Sequence, residues 1–528
     1  MAILIRSGRV YDGSGRPPFS GDVLIEGERI AAIGPQTGSQ LAAPASGVAL
    51  IDARGRVVCP GFVDTHRHAD AAVFSAPEFG ETELAQGITT TVVGNCGIAP
   101  VPAAANPRWR EDWYRYIEPV IGTVHEGLPF ESYTAYAAAL EKLPLPINLG
   151  FLAGAGAVKT AVRGFARTAF SPEELAQAAA HIGEAMDAGA LGLSFGIMYQ
   201  PECYSRREEL IALARPAAKA GGILCTHIRG EGDSLPDSVQ EMIDVAESAG
   251  IPLNISHFKA TGIRNWRSAI FQAIARIEAA RARGQAVTAD FYPYDGGSTT
   301  LLSLIPPDIR EETPAALAGK LAGSTGREAL RRSISGEHPG WDNMAASIGW
   351  DRVLLSSGQS IKTAAAGAGY ADPVDLLCDL LVNEGYRTGI ILLSMAQEDI
   401  DTVANLPWTA LISDALYGGG ENPHPRLHGA FPKFLRDYVQ ERPLMPLERA
   451  IQKMTSIPAE RFGIAGRGRL EPGAFADVLV FDPASFTGPA GYAHPRERAA
   501  GMDTVLVNGN IAWEDGAICA RAGKPVWG

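Results

Sequence analysis

Between about residue 57 and about residue 464, short continuous apolar runs recur, and many are followed by an Ala-rich amphipathic stretch. The runs are 58–63, 89–94, 147–152, 191–195, 222–226, 251–256, 287–291, 389–394 and 409–413. Helix candidates are 172–188, 206–220, 234–249 and 267–283. A strand that is apolar at every position is buried on both faces, so such strands alternating with helices build a parallel sheet covered on both sides. Roughly eight units of this kind favour a closed (β/α)8 TIM-like barrel over an open sheet. The stretch 306–352 breaks the rhythm and is read as an insertion on the barrel that could serve as a lid.

The two chain ends read differently. Residues 2–10, 21–25 and 29–33 look like strands separated by the turns Asp12-Gly13 and Glu26-Gly27-Glu28. Near the C-terminus, 476–481 is an apolar strand, and 504–507 leads through Asn508-Gly509 to Ile511 and Trp513. Asn-Gly between apolar alternations is a strong hairpin signal. Residues 1–57 and 465–528 are therefore expected to form one composite small β-sandwich domain beside a barrel of residues 58–464. The whole is an α/β protein.

Composition excludes some functions. The formal net charge of -13 opposes a nucleic-acid backbone or an anionic membrane as partner. No uncharged apolar stretch reaches the roughly 20 residues that span a bilayer, and the N-terminus has no signal-peptide pattern. Six sparse cysteines without a CxxC pair fit a reducing compartment better than a disulfide framework. The expected setting is cytoplasmic, the expected partner a small molecule.

Chemistry-bearing residues gather where apolar runs end. The first run passes into Asp64-Thr65-His66-Arg67-His68, and positions two apart on a strand face the same side, so His66 and His68 project together. Alone, this HxH is equally consistent with two loop histidines. Run 89–94 ends at Asn95-Cys96-Gly97; a single cysteine is more often a small buried hydrophobe than a ligand. Run 222–226 ends in His227, followed by Arg229-Gly230-Glu231-Gly232; run 251–256 ends in His257, followed by Phe258 and Lys259; run 409–413 ends in Asp414 before the Gly-rich turn 418–422. A turn or cap aspartate is the alternative for Asp414. Together, metal-type ligands stand at the C-terminal ends of five strands, where barrel enzymes assemble their sites.

The order HxH, Cys, His, His, Asp resembles the amidohydrolase superfamily, and the context from Val57 through His68 resembles its first barrel strand. Within it, Val92-Val93-Gly94-Asn95-Cys96-Gly97, Ser256-His257-Phe258-Lys259-Ala260, Gly192-Leu193-Ser194 through Tyr199-Gln200-Pro201, and His424-Pro425-Arg426 through Pro432 are similar to the N-acyl-D-amino-acid deacylase (D-aminoacylase) family. The resemblance implies a zinc-dependent amide hydrolase using metal-activated water. Cys96, His227 and His257 would hold a tight Zn2+, and His66, His68 and Asp414 would line a second, weaker position. Asp414 would be the general base. Tyr199, Lys259 and Arg426, with Ser298 as a weaker candidate, would bind the substrate carboxylate.

Alternatives remain at this level. Lys159 lies at about the spacing where other superfamily members carry a carbamylated lysine, which would mean a binuclear cyclic-amide hydrolase of the hydantoinase or dihydroorotase kind; a dipeptidase is a further variant. A metal-binding scaffold without turnover is a different class, but no expected ligand is missing. His125, His181, His338 and His494 lack a strand-end context and are read as structural, and His424 and His428 stand close to Arg426.

Overall fold

The computed structural model describes residues 2–35, 47–336, 338, 340–384, 387–418, 420 and 422–528. Parts of the expected 1–57 unit, of the 306–352 insertion and of the Gly-rich turn (Gly419 and Glu421) lie outside these residues.

Among the described residues, eight strand positions pair in parallel around a closed barrel. In order they are Phe62–Asp64 with Arg67–His68, Ile88–Val93, Asn148–Phe151 with Ala153–Gly154, Gly192–Gly196, Ile223–His227, Leu253–Ile255, Val287–Phe291, and Thr409–Leu411 with Ala415–Leu416. The barrel closes where Ala415 pairs with Arg67 and Leu416 with His68. Asp64 seals this seam by accepting from Ser413 N at 3.0 Å, and Arg67 lies 2.7 Å from Glu83 and 3.4 Å from Asp64. Closure leaves no unpaired edge, so strands that are almost entirely buried can still satisfy their backbone groups.

The connecting helices follow local signals. Helix Pro172–Asp187 starts with a capping box: Ser171 Oγ accepts from Glu174 N while the Glu174 carboxylate accepts from Ser171 N, and Pro172 fills the first helical position. Helices Arg207–Lys219, Leu235–Ala249 and Ala269–Ala282 fall within the expected spans.

One apolar run has a different place from that expected. Gly389–Leu393 is not a barrel strand but the middle of a three-stranded antiparallel sheet with Gly296–Thr300 and Val353–Leu355. Five apolar residues cannot by themselves distinguish a barrel strand from the core strand of a separate small sheet. This sheet, with helices Pro314–Ala322, Ser324–Ser333, Met344–Ile348, Ile361–Gly367 and Pro373–Asn383, forms an excursion between the seventh and eighth barrel strands that takes in the 306–352 stretch.

Strands from both chain ends form one nine-stranded sheet. Its central strands alternate between two cores. Val58, Val478, Val480 and Leu506 pack with Ile3, Ile5, Val23 and Ile25, whereas Val57, Cys59, Leu479, Phe481, Val505 and Val507 join the barrel core. The period-2 pleat thus lets one sheet bury both faces. The Val507–Asn510 hairpin turns through Asn508 (φ +47°) and Gly509 (φ +73°), the conformation that favours Asn-Gly.

A buried polar knot joins this sheet to the barrel. Asp477 pairs with Arg467 and accepts from Asn508 N at 2.8 Å and Asn148 Nδ2 at 3.1 Å, and Asn508 Nδ2 donates to Asn148 Oδ1 at 2.8 Å. Asp477→Ala would leave Arg467 buried without its counter-charge. Denaturant unfolding is expected to show a loss of about 3–5 kcal/mol, with the metal content of the folded protein unchanged.

Candidate metal centre and active site

The barrel brings the ligand-type residues to one end. His66 and His68 close the first strand, Cys96 lies three residues past Val93, His227 ends the fifth strand, His257 lies two residues past Ile255, and Asp414 three past Leu411. All six side chains are buried. Cys96 Sγ lies 3.3 Å from His66 Nε2 and 3.4 Å from His257 Nε2. Asp414 Oδ1 lies 3.3 Å from His66 Nε2 and 3.4 Å from His68 Nε2.

Three of these residues have left-handed backbones: Cys96 (φ +56°), His257 (φ +36°) and Asp414 (φ +50°). Such conformations cost on the order of 1–3 kcal/mol each and persist only where surroundings impose them. Here Gly97 N donates to Ser194 Oγ (2.9 Å), His257 N to Asp290 Oδ1 (2.5 Å) and Asp414 N to the His66 carbonyl (2.9 Å). The strain turns each side chain off its strand end toward the barrel axis.

Burial depresses His66, His227 and His257 well below the ordinary imidazole range, leaving them neutral, the form that binds metal. Burial pushes the Cys96 thiol well up. Burial would also raise Asp414, but the Arg426 guanidinium, 2.8 Å away, with His66 and His68 beside it, outweighs that and holds the carboxyl well below the usual range. Lys259, opposed by burial but paired with Glu231 at 2.5 Å, stays an ammonium.

These contacts fit a divalent cation. Zn–S of about 2.3 Å and Zn–N or Zn–O of about 2.0–2.1 Å at a tetrahedral angle imply ligand–ligand separations of about 3.3–3.6 Å, a range that takes in the 3.3–3.4 Å found here. A soft thiol with imidazoles and a carboxylate is a zinc donor set, and a bound cation reverses the cost of ionising a buried thiol. Three groups have ligand atoms within 4.8 Å of one another: His66, Cys96 and His257; His66, His68 and Asp414; and His227, Glu231 and His257. At that separation no group among the described residues joins His227 to Cys96. His227 Nε2 lies 3.1 Å from Met198 Sδ instead.

The centre opens into a cavity lined by His68, Cys96, His227, His257 and Asp414, and also by Tyr199, Lys259 and Ser298. Arg426 is not on this lining. It lies behind Asp414, with its guanidinium carbon 4.7 Å from the centre of the Tyr292 ring. Lys259 Nζ is 5.8 Å from the same ring. The Nε, Nη1 and Nη2 groups of Arg426 form no hydrogen bond among the described residues.

A model of the amidohydrolase family matches residues 49–290 and 374–512. A D-aminoacylase of Alcaligenes xylosoxydans xylosoxydans is 34% identical over 523 residues, covering 98% of this chain and 96% of that one. The chain belongs to the amidohydrolase family, in its D-aminoacylase branch. Two solved structures of the branch superpose along its whole length, each covering 100% of this chain and 99% of its own. One is the N-acyl-D-glutamate deacylase of Bordetella bronchiseptica, complexed with zinc and a phosphonate mimic of the tetrahedral intermediate (TM-score 0.83, 30% identity). The other is a D-aminoacylase studied for the functional role of its binuclear metal centre (TM-score 0.81, 31% identity).

In this D-aminoacylase relative, Lys159 stands away from the centre. It lies on helix Ala155–Arg163, and its ammonium pairs with Glu209 and donates to Ser205 Oγ at 2.6 Å. Three residues at the centre escaped the sequence reading. Glu231 Oε1 lies 2.9 Å from His257 Nδ1 and 2.5 Å from Lys259 Nζ. Tyr292 has both the Lys259 ammonium and the Arg426 guanidinium within 6 Å of its ring, and Asp290 holds the His257 backbone. Glu231, four residues beyond His227, had a spacing signal; the others had none. His424 is spent on the Gly296 carbonyl at 2.8 Å.

Lys159→Met is expected to lower stability but leave zinc content near that of the parent protein. Cys96→Ala is expected to reduce zinc content to background. Metal analysis of the two purified variants checks this.

Proposed function

We propose that this amidohydrolase hydrolyses N-acyl-D-amino acids, with zinc, to a carboxylate and a free D-amino acid. The observation that carries the reading is one cavity lined on one side by Cys96, His257 and Asp414, of the cluster shared with His66, and on the other by Lys259 and Tyr292. The first set suits a metal and a proton acceptor, the second a carboxylate. D-Aminoacylase and N-acyl-D-glutamate deacylase among its relatives support both the reaction and the hand of the substrate.

Cys96 and His257 would hold the tighter zinc with one further imidazole, His66 or His227. His68 and Asp414 would complete a second, weaker position. Bound zinc supplies Lewis-acid polarisation of the amide carbonyl and a water acidic enough to be deprotonated near neutral pH. Asp414 takes a proton from the attacking water and returns it to the amide nitrogen as the C–N bond breaks. Arg426 keeps that carboxylate ionised. Lys259 and Tyr199 grip the substrate carboxylate from the cavity wall and Ser298 adds a hydroxyl, while Arg426, off that wall and 2.8 Å from Asp414, acts on the aspartate rather than on the substrate. A cytoplasmic setting agrees with six unpaired cysteines, and no helix among the described residues is long and apolar enough to cross a membrane.

The rest of the cavity bears on the side chain accepted. Ile98, Val120, Met344, Leu392 and Leu416 line it and belong to one apolar cluster shared with the excursion. Lys259 is the one ammonium or guanidinium among the described lining residues, whereas Glu231, Asp342 and Asp414 are carboxylates. A second substrate carboxylate would meet no free cation there, so neutral apolar side chains are favoured.

Amine release by the zinc-loaded protein tests both points. N-acetyl-D-leucine should be hydrolysed, its L enantiomer and hydantoin should not, and N-acetyl-D-glutamate should fall behind the D-leucine derivative by about 100-fold in kcat/KM. Opening of hydantoin without release from any acyl amino acid would replace this reading by a cyclic-amide hydrolase.

A further inference from the structure

The segment Arg229-Gly230-Glu231-Gly232 follows a ligand histidine, and the chemistry above accounts for neither of its glycines. Asp342 does. This residue belongs to the excursion, just before helix Met344–Ile348, and reaches across to the loop after the fifth barrel strand. Its Oδ2 accepts from Glu231 N at 2.6 Å and Gly232 N at 2.7 Å; its Oδ1 lies 3.5 Å from Ser234 N and 3.4 Å from Ser234 Oγ. Successive backbone N–H groups aimed at one carboxylate form an anion-holding nest. A Cβ on Gly230 would come within 2.8 Å of Asp342 Oδ2, and one on Gly232 within 2.9 Å of its Cγ. A side chain at either position would crowd the carboxylate in its seat, and at Gly230 also Ser234 Oγ.

The residue clamped between those glycines is Glu231. Its carboxylate meets the outer nitrogen of His257 at 2.9 Å and the Lys259 ammonium at 2.5 Å, and its Oε1 lies 3.9 Å from His227 Nε2. The group on the far nitrogen of a metal-binding histidine sets its tautomer and orientation. The loop has a separate anchor, since Thr261 N donates to the Glu231 carbonyl at 2.8 Å and Gly230 N to Ser238 Oγ at 3.1 Å. Losing Asp342 therefore frees the aim of Glu231 without releasing the whole loop.

We propose that Asp342 is a positioning residue that couples the excursion to the reaction centre: by seating in the Gly230–Gly232 nest it fixes Glu231 against His257 and Lys259, and so sets both the grip on zinc and the grip on the substrate carboxylate. The second half rests on the deacylase reading.

A double-mutant cycle tests it, read by zinc dissociation constants from chelator competition and by KM and kcat for N-acetyl-D-leucine. Asp342→Ala should weaken zinc binding and raise KM about tenfold each, with kcat nearly unchanged. In a Glu231→Gln background, removing Asp342 should add less than about twofold to either, because the two act as one unit. Should Asp342→Ala fail to fold, Asp342→Asn carries the same cycle, with smaller effects in the same direction. Fully additive losses, or unchanged zinc affinity and KM in the single variant, overturn the proposal. Zinc binding without hydrolysis of any N-acyl-D-amino acid would sink the deacylase reading, while the zinc cycle would still decide the role of Asp342.

Discussion

A thiol, neutral imidazoles and an ionised aspartate share one buried space at the mouth of the barrel, and a divalent cation is what reconciles them. Burial opposes ionisation of Cys96 and keeps His66 and His257 neutral, while Arg426 holds Asp414 charged from behind. The ligand atoms of the cluster approach one another to 3.3–3.4 Å, as thiol–imidazole and imidazole–carboxylate contacts where no cation intervenes. With one, the same separations become the edges of a coordination sphere. The architecture around the cluster can be understood as what holds these groups in place.

That holding is done in layers. Strand closure places the residues at one rim, and positive φ angles at Cys96, His257 and Asp414 turn them inward. Ser194, Asp290 and the His66 carbonyl bind the neighbouring amides that enforce this turn. Glu231 and Lys259 then fix the outer face of His257, and Asp342 reaches in from the excursion to fix Glu231. The excursion is consequently more than a cover. It contributes apolar wall at Met344 and Leu392 and a polar clamp at Asp342 to the same cavity.

Much of this was legible in the sequence, for definite reasons. Continuous apolar runs report burial on both faces, and polar residues at their ends report one rim of the barrel, so His66, His68, Cys96, His227, His257 and Asp414 could be collected as its residues from residue order. Helix spans followed from the Ala-rich amphipathic stretches after the runs, and the Asn508-Gly509 turn from its chemistry. The run 389–394 misled because apolar composition does not encode which sheet a strand joins. Asp342 and Tyr292 carried no signal because their partners come from distant parts of the chain. Lys159 had the spacing of a ligand, but its helix turns it to Glu209. The left-handed backbones were equally hidden, since Cys, His and Asp do not announce that conformation as glycine does.

The zinc K-edge X-ray absorption spectrum of the metal-loaded protein tests the central claim most directly. Ligation by Cys96 requires one sulfur at about 2.3 Å together with nitrogen or oxygen neighbours at about 2.0–2.1 Å, and loss of the sulfur contribution in Cys96→Ser. A first shell of nitrogen and oxygen alone in the parent protein would contradict it, because the ion would then lie outside the cluster that Cys96 shares with His66 and His257.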